Sequence, residues 1–192
     1  FHGVDEAFPL SLHSPYGCSK GAADQYVLDY VQTFGVRGTV VRQSCIYGPR
    51  QFGIEDQGWI AWFLIAGSLG LPITIYGSGK QVRDGLHVED LIRFYLAVAG
   101  RDEAVGQAFN LGGGAFNTLS LLELLDLMRT RFGLTPPVSF ADQRRGDQQI
   151  FVSDNSKALS VGWQPEVSID EGIGELYSWL TDNLETIKSV HR

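Results

Sequence analysis

The sequence predicts an α/β fold in which the carboxy-terminal part of a doubly wound parallel sheet is joined to a smaller α/β unit. Three observations carry that expectation. A capped amphipathic helix over 15–34 leads into a short β-branched segment at 38–43, strand-like and helix-like segments then alternate as far as residue 111, and the remaining part is rich in helix. The length suits this plan, because 192 residues exceed one ordinary domain and fall short of two large ones, so one core with an appendage is the natural arrangement.

The elements follow in order. Ser14 and Pro15 mark a helix start, apolar positions Ala23, Tyr26, Val27, Tyr30, Val31 and Phe34 recur at helical spacing, and Gly35 marks its end. Gly38-Thr39-Val40-Val41-Arg42-Gln43 then suits a buried parallel strand reached by a crossover from that helix. A glycine-rich loop, an aromatic helix near Asp56 to Leu69, a strand Ile73 to Tyr76 and a turn Gly77-Ser78-Gly79 come next. Gln81 to His87 reads as a strand, Val88 to Val98 as a helix with Glu89 and Asp90 at its positive end, and Ala108 to Leu111 as a strand stopped by Gly112 to Gly114. Leu119 to Phe132 is helical up to Gly133, and Pro136-Pro137 opens an irregular stretch. Two helices close the chain, one over 155–161 capped by Asp154 and one from Ile169 to about Ile187, with Ile173, Leu176, Tyr177, Leu180 and Leu184 facing inward.

Composition narrows the function classes. Hydrophobic residues at 44% and charged residues at 19% are ordinary globular values, unlike those of disordered, fibrous or repeat proteins. The longest apolar stretch, Trp59 to Leu71, is too short and too interrupted to span a bilayer. The first residues resemble no targeting signal, which makes cytoplasmic residence the default expectation. A net charge of −7 argues against a nucleic-acid partner, since phosphate-backbone binding needs a basic face. Cys18 and Cys45 are too few for a disulfide framework or a zinc site, and His13 and His87 have no metal-ligand partners at useful spacing.

The chemistry-bearing motif is Tyr16-Gly17-Cys18-Ser19-Lys20. On a helix this spacing puts a phenol and an ammonium on one face in adjacent turns. A fixed cation beside a phenol favours the phenolate, the form that acts as a general base. The pair sits on the first turn of a helix that feeds a parallel strand, which is the setting that such chemistry needs.

The segment from Ser14 to Tyr26, Ser-Pro-Tyr-Gly-Cys-Ser-Lys-Gly-Ala-Ala-Asp-Gln-Tyr, resembles the catalytic helix of the CDP-paratose (CDP-tyvelose) 2-epimerases, which are extended short-chain dehydrogenases/reductases. The likeness continues through Arg42 to Phe52, Asp56-Gln57-Gly58-Trp59, Gly79 to Asp84 and Phe109 to Gly113, and so covers nearly the whole chain. It implies a Rossmann-type sheet, with residues 1–52 a remnant of that domain, 53–192 mainly a nucleotide-sugar-binding domain, and about 84–112 returning to the Rossmann part. It also implies NAD-mediated removal and return of hydride at sugar C2, with Tyr16 taking the hydroxyl proton and Lys20 holding the nicotinamide ribose and favouring the tyrosinate. Ser44 and Tyr47 are expected at the nicotinamide end. Arg83 and Arg144, or Arg145 with the register shifted by one, are expected on the diphosphate of a CDP-linked sugar, with Arg50, Gln51, Asn110 and Cys45 as further substrate contacts. Trp59 and Trp62 are expected to be core residues of their helix rather than a stacking platform.

Two departures qualify the resemblance. Many sugar epimerases and dehydratases of this superfamily carry a substrate-contacting asparagine three residues after the arginine matching Arg42, and here that position is Cys45, a poor hydrogen-bond donor. The glycine-rich strand-to-helix turn that cradles a dinucleotide is absent from the sequence, and the serine or threonine of the catalytic triad would lie before Phe1. The expectation is therefore a truncated chain that, alone, binds NAD weakly and does not turn over, and that pairs as a homodimer through its catalytic helix. A hexose 4,6-dehydratase-like enzyme and a noncatalytic nucleotide-sugar-binding module are the alternatives.

Overall fold

The structure, a computed structural model, describes residues 3–191. Its longest element is α1, Pro15–Phe34. Ser14 stands at the N-cap in extended backbone and its hydroxyl accepts from the Gly17 amide, Pro15 occupies the first turn, and Gly35 ends the helix in the left-handed region at φ 66°, where glycine carries no steric penalty. β1, Val40–Gln43, follows, then β2, Cys45–Tyr47, α2, Trp59–Leu69, β3, Ile73–Tyr76, β4, Val82–His87, and α3, Val88–Val98. The chain continues with β5, Ala108–Leu111, β6, Thr118–Ser120, α4, Leu121–Phe132, β7, Val138–Ala141, and β8, Ile150–Phe151. It closes with α5, Ser156–Ser160, α6, Ile169–Asp182, and α7, Leu184–Val190.

β1 and β5 pair in parallel, with Val40 opposite Ala108 and Gln43 opposite Leu111. β2 runs parallel to the second half of β4, placing Cys45 opposite Gly85 and Tyr47 opposite His87. The first half of β4 has other neighbours, β6 antiparallel and β8 parallel. β4 therefore changes partners at Asp84 and Gly85. β3 and β7 form a separate parallel pair.

Two apolar clusters result. One gathers α2, β3, α4 and α6 around Leu64, Ile73, Leu124, Ile173 and Leu176. The other packs α3 and α5 on β4 and β5 through Leu86, Phe94, Phe109 and Trp163, with Phe94 edge-on to both Phe109 and Trp163. No helix among the described residues is long and apolar enough to cross a membrane.

α1 is attached differently. Twenty residues make a helix of roughly 30 Å, far longer than the four-residue strand β1 beneath it. Only Gly21 and Asp24 are buried, and Tyr26, Val27, Tyr30 and Phe34 remain exposed. The apolar stripe read from the sequence is present but uncovered by the described residues.

Several details differ from the sequence reading, among them β6 and β8 and a start of α4 at Leu121 in place of Leu119. The loop after Gln43 contains β2, and the stretch after Pro136-Pro137 forms β7. The final helix breaks at Asn183, whose side-chain amide donates to Trp179 O at 2.8 Å and so competes with the backbone pattern. The N-cap of α5 is Asn155, whose side chain bonds Gly112 instead of capping the helix, while Asp154 Oδ1 accepts from the Ser156 amide at 2.8 Å.

Candidate active site

Tyr16 lies in the first turn of α1 because Ser14 and Pro15 start the helix immediately before it. Its ring is 70% exposed, and Lys20 Nζ stands 5.5 Å from the ring centroid. The phenol and the ammonium thus share one open face. Just before them, Leu12 closes over α1 at Gly21, where a Cβ would stand 2.7 Å from Leu12 Cδ1, so a side chain there would push the leucine aside. Deeper along α1, Asp24 receives Nε and Nη2 of Arg42 at 2.6 and 3.1 Å. That bidentate pair fixes α1 on β1, and the hydrogen bond to Asp24 raises the pKa of Arg42 above its ordinary value.

The second group of side chains surrounds the first half of β4. Arg83 donates Nη1 to Val82 O at 2.9 Å and Nη2 to Gln148 O, with Asp147 Oδ1 at 3.4 Å. Arg144 lies on the same loop. Its guanidinium sits 3.8 Å above the Tyr76 ring and pairs with Asp56 at 2.8 Å, contacts that raise its pKa, the bond to Tyr76 foremost. Each arginine thus also faces a carboxylate, Asp147 for Arg83 and Asp56 for Arg144. This loop also reaches the segment that leads into α1, since a Cβ on Gly146 would lie 3.6 Å from His13 Cβ, three residues before Tyr16. Arg145 is exposed beside it.

Between these groups lie β2 and its flanks. The Ser44 hydroxyl donates to Asp84 O at 2.9 Å and also to Asp84 Oδ1. Asp84 is fully buried, and its Oδ2 accepts the amides of Gly114 at 3.2 Å and Ser153 at 2.9 Å. Four segments meet on this one carboxylate. Gly112 is required beside it, because a Cβ there would stand 1.9 Å from Asp84 Oδ2. The triple glycine thus serves close packing between strands, and it leads into a short 3-10 turn and β6 rather than into an α-helix. Cys45 is partly buried, with its thiol taking a hydrogen bond from Trp59 Nε1 at 3.3 Å. Burial is the largest influence on that thiol and pushes its pKa up.

The remaining predicted residues are placed as follows. Arg50 is exposed and holds φ at 70°, a region a bulky side chain occupies only when its surroundings impose it. Gln51 donates Nε2 to Ile46 O at 3.1 Å, while its Oε1 is buried without a partner. Asn110 faces the amino-terminal segment, donating Nδ2 to Val4 O at 2.9 Å, and its backbone amide donates to Glu6 Oε1 at 2.7 Å. Tyr47 is buried, edge-on to His87 at 5.4 Å and 72°. Its phenol is the nearest atom to where a Gly172 Cβ would be, at 2.4 Å. Burial first, then Glu175 and Glu171, hold that phenol well above its ordinary pKa.

Tyr16 and Lys20 therefore come together and Arg83, Ser44 and Cys45 lie on β4 or beside it, whereas Arg144 stands over Tyr76 of β3 and Asn110 and Tyr47 make packing contacts. Trp59 packs against the first apolar cluster and in addition contacts Cys45. Sequence reading missed the Asp84 junction and the two acidic partners Asp56 and Asp147, because their roles depend on neighbours remote in sequence. No group of residues among those described could hold a metal ion.

The pattern of the NAD dependent epimerase/dehydratase family matches residues 2–112. CDP-paratose 2-epimerase of Salmonella typhi is 45% identical over 185 residues, which is 93% of this chain and 55% of that protein. A dTDP-glucose 4,6-dehydratase of Actinoplanes sp. is 36% identical over 93% of this chain and 54% of its own. Among solved structures, UDP-glucuronic acid 4-epimerase from Bacillus cereus in complex with UDP-glucuronic acid and NAD superimposes with a TM-score of 0.83 at 26% identity, covering 94% of this chain and 56% of that one. The NAD complex of Thermus thermophilus UDP-glucose 4-epimerase gives 0.83 at 28% identity, over 93% and 58%. The chain spans about half the length of the curated relatives it matches.

Proposed function

Starting from the fact that this chain belongs to the NAD dependent epimerase/dehydratase family, we propose that it provides the proton-transfer pair and the substrate face of a nucleotide-sugar 2-epimerase of the CDP-paratose type. The observation that carries the reading is the open Tyr16–Lys20 face on the first turn of α1, close to a loop with Arg144 that also packs on Arg83. In this account Arg83 and Arg144 exchange their carboxylate partners for the diphosphate, whose oxygens match the guanidinium fork. Tyr16 Oη then takes the proton of the sugar hydroxyl and later returns it, and the Lys20 ammonium lowers the cost of the anionic phenol in between. Arg50 and Gln51 complete the proposed substrate side.

NAD, when bound, supplies the acceptance and return of hydride. The residues present fit its nicotinamide end: Tyr16 and Lys20 share an open face, and the Ser44 hydroxyl is held in place by Asp84. A glycine-rich turn entering an α-helix, the usual pyrophosphate cradle, does not occur among the described residues, since the triple glycine packs on Asp84, Gly85 and Asn155 and leads into a 3-10 turn and β6. On this reading the chain by itself binds the nucleotide sugar and holds NAD weakly. The exposed stripe Tyr26, Tyr30 and Phe34 supports a homodimer through α1 as part of the same proposal.

The test is phosphorus NMR of CDP titrated with the protein. Saturable shifts of both phosphate resonances are expected, with Arg83→Ala weakening binding at least about tenfold, the scale of losing one bidentate charge-assisted contact. Equal affinity in the variant would remove Arg83 from the site, and absence of any shift in the unaltered protein would remove the nucleotide reading.

A further inference from the structure

Tyr16, Lys20 and Asp24 follow one another at four-residue steps along α1, a line that passes from the open side of the helix to its buried side. Tyr16 is 70% exposed and Asp24 only 9%, and Lys20 lies one turn from each, within reach of both. A carboxylate four residues after a lysine attracts its ammonium. Here the ammonium stands over the Tyr16 ring instead, with Nζ 5.5 Å from the centroid. Asp24 is already occupied from β1, where Arg42 places Nε on Oδ2 at 2.6 Å and Nη2 on Oδ1 at 3.1 Å. The other described donor to that carboxylate is the neutral amide of Gln25, at 2.9 Å. A buried carboxylate needs a cationic partner, and Arg42 meets that need from another element of the fold.

We propose that Arg42 is a positioning residue for the reaction, holding Asp24 so that Lys20 stays with Tyr16. The inference rests on the reading of Tyr16 and Lys20 as the proton-transfer pair. Without the guanidinium, Asp24 becomes a buried charge with one neutral donor, and the cation one turn away on its own helix is Lys20. Attraction through the poorly screened interior then draws the ammonium inward, and the phenol loses the charge that favours its anion although neither member of the pair has been altered. The Asp24–Arg42 contact thus has two effects, fastening α1 to β1 and leaving Lys20 free. They are separable, because only the second depends on the charge of Asp24.

The experiment is NMR of the full chain, following the nuclear Overhauser cross-peak between the Lys20 ε-methylene and the Tyr16 ring in the unaltered protein, Arg42→Gln, Asp24→Asn and the double variant, with amide spectra reporting the fold. In Arg42→Gln the side chain can still donate to Asp24 but carries no charge, and the cross-peak is expected to fall at least about twofold, the scale of one i,i+4 ion pair on a helix. Asp24→Asn and the double variant are expected to keep the unaltered intensity, since no carboxylate is left to draw Lys20 away. A contact that only fastened the helix would instead lose intensity in Asp24→Asn as well, and the double variant would recover none. Should Arg42→Gln not fold, Arg42→Lys, which keeps the charge without the fork, is expected to show a smaller fall that Asp24→Asn again reverses. A cross-peak unchanged by the Arg42 substitution, or a fall that Asp24→Asn does not reverse, would overturn the inference and leave the proton-transfer reading standing. A cross-peak missing from the unaltered protein would separate Tyr16 from Lys20 and overturn both.

Discussion

Removing the Asp84 carboxylate should cost more stability than any other single polar substitution in the sheet. Asp84 is fully buried and accepts from the Ser44 hydroxyl and from the amides of Gly114 and Ser153. In Asp84→Ala the two amides lose their partner, each at about 1–3 kcal/mol, while Ser44 keeps its bond to the Asp84 carbonyl, so the expected loss is about 2–6 kcal/mol. That is a large share of a total near 5–15 kcal/mol. Asp84→Asn should be milder. Its amide oxygen can face the two N–H groups and its NH₂ can donate to Ser44 Oγ, so only the charge assistance disappears, at about 1–2 kcal/mol. Urea unfolding followed by far-ultraviolet circular dichroism gives both values from the shift in midpoint at constant slope. Should alanine prevent folding altogether, the asparagine variant still tests the ordering. An alanine variant within about 0.5 kcal/mol of the unaltered protein, or an asparagine variant as damaged as alanine, would refute the view that this carboxylate ties four segments together.

Two other outcomes follow from the structure. His87 is buried with neither ring nitrogen hydrogen-bonded, and Glu175 Oε2 stands 3.6 Å from Nε2. Burial, the largest influence, lowers its pKa, assisted by Arg93 and opposed by Glu175 and Glu89. The unfolded chain therefore takes up this proton first, so the contribution is fully present above the unfolded value of about 6.5 and is lost as pH falls below it, by up to about 1.4 kcal/mol per unit. His87→Asn should flatten the urea midpoint against pH between about 7.5 and 5.5 relative to the unaltered protein, and parallel curves would show that His87 is not the source. For self-association, Tyr30→Glu combined with Phe34→Glu should shift the light-scattering mass toward the monomer, and a monomer in the unaltered protein over a concentration series would remove the dimer from the account.

The helices were the most legible part of the sequence, since they carry their own punctuation. Ser14, Pro15 and Gly35 bound α1, and the edges of α3 and β3 come directly from residue pattern. The short strands β2, β6, β7 and β8 were not legible, because two to four residues carry no period and become strands only through remote partners such as Gly85, Arg83 and Ile73. The same limit applied to the site. Tyr16 and Lys20 were readable as a local spacing on one helix. Asp84 looked like one acid after Arg83, and its role depends on Ser44, Gly114 and Ser153, which are at least 30 residues away. Asn110 beside three glycines carried a substrate expectation from resemblance, whereas its amide is engaged by Val4, over 100 residues earlier.

The proposed function gives this chain the substrate side of a nucleotide-sugar site and, among the described residues, no pyrophosphate cradle for a dinucleotide. Separate calorimetric titrations with CDP and with NAD test it most directly. The account predicts saturable one-to-one binding of CDP and, at the same protein concentration, no measurable heat from NAD. Tight NAD binding with no response to CDP would contradict it.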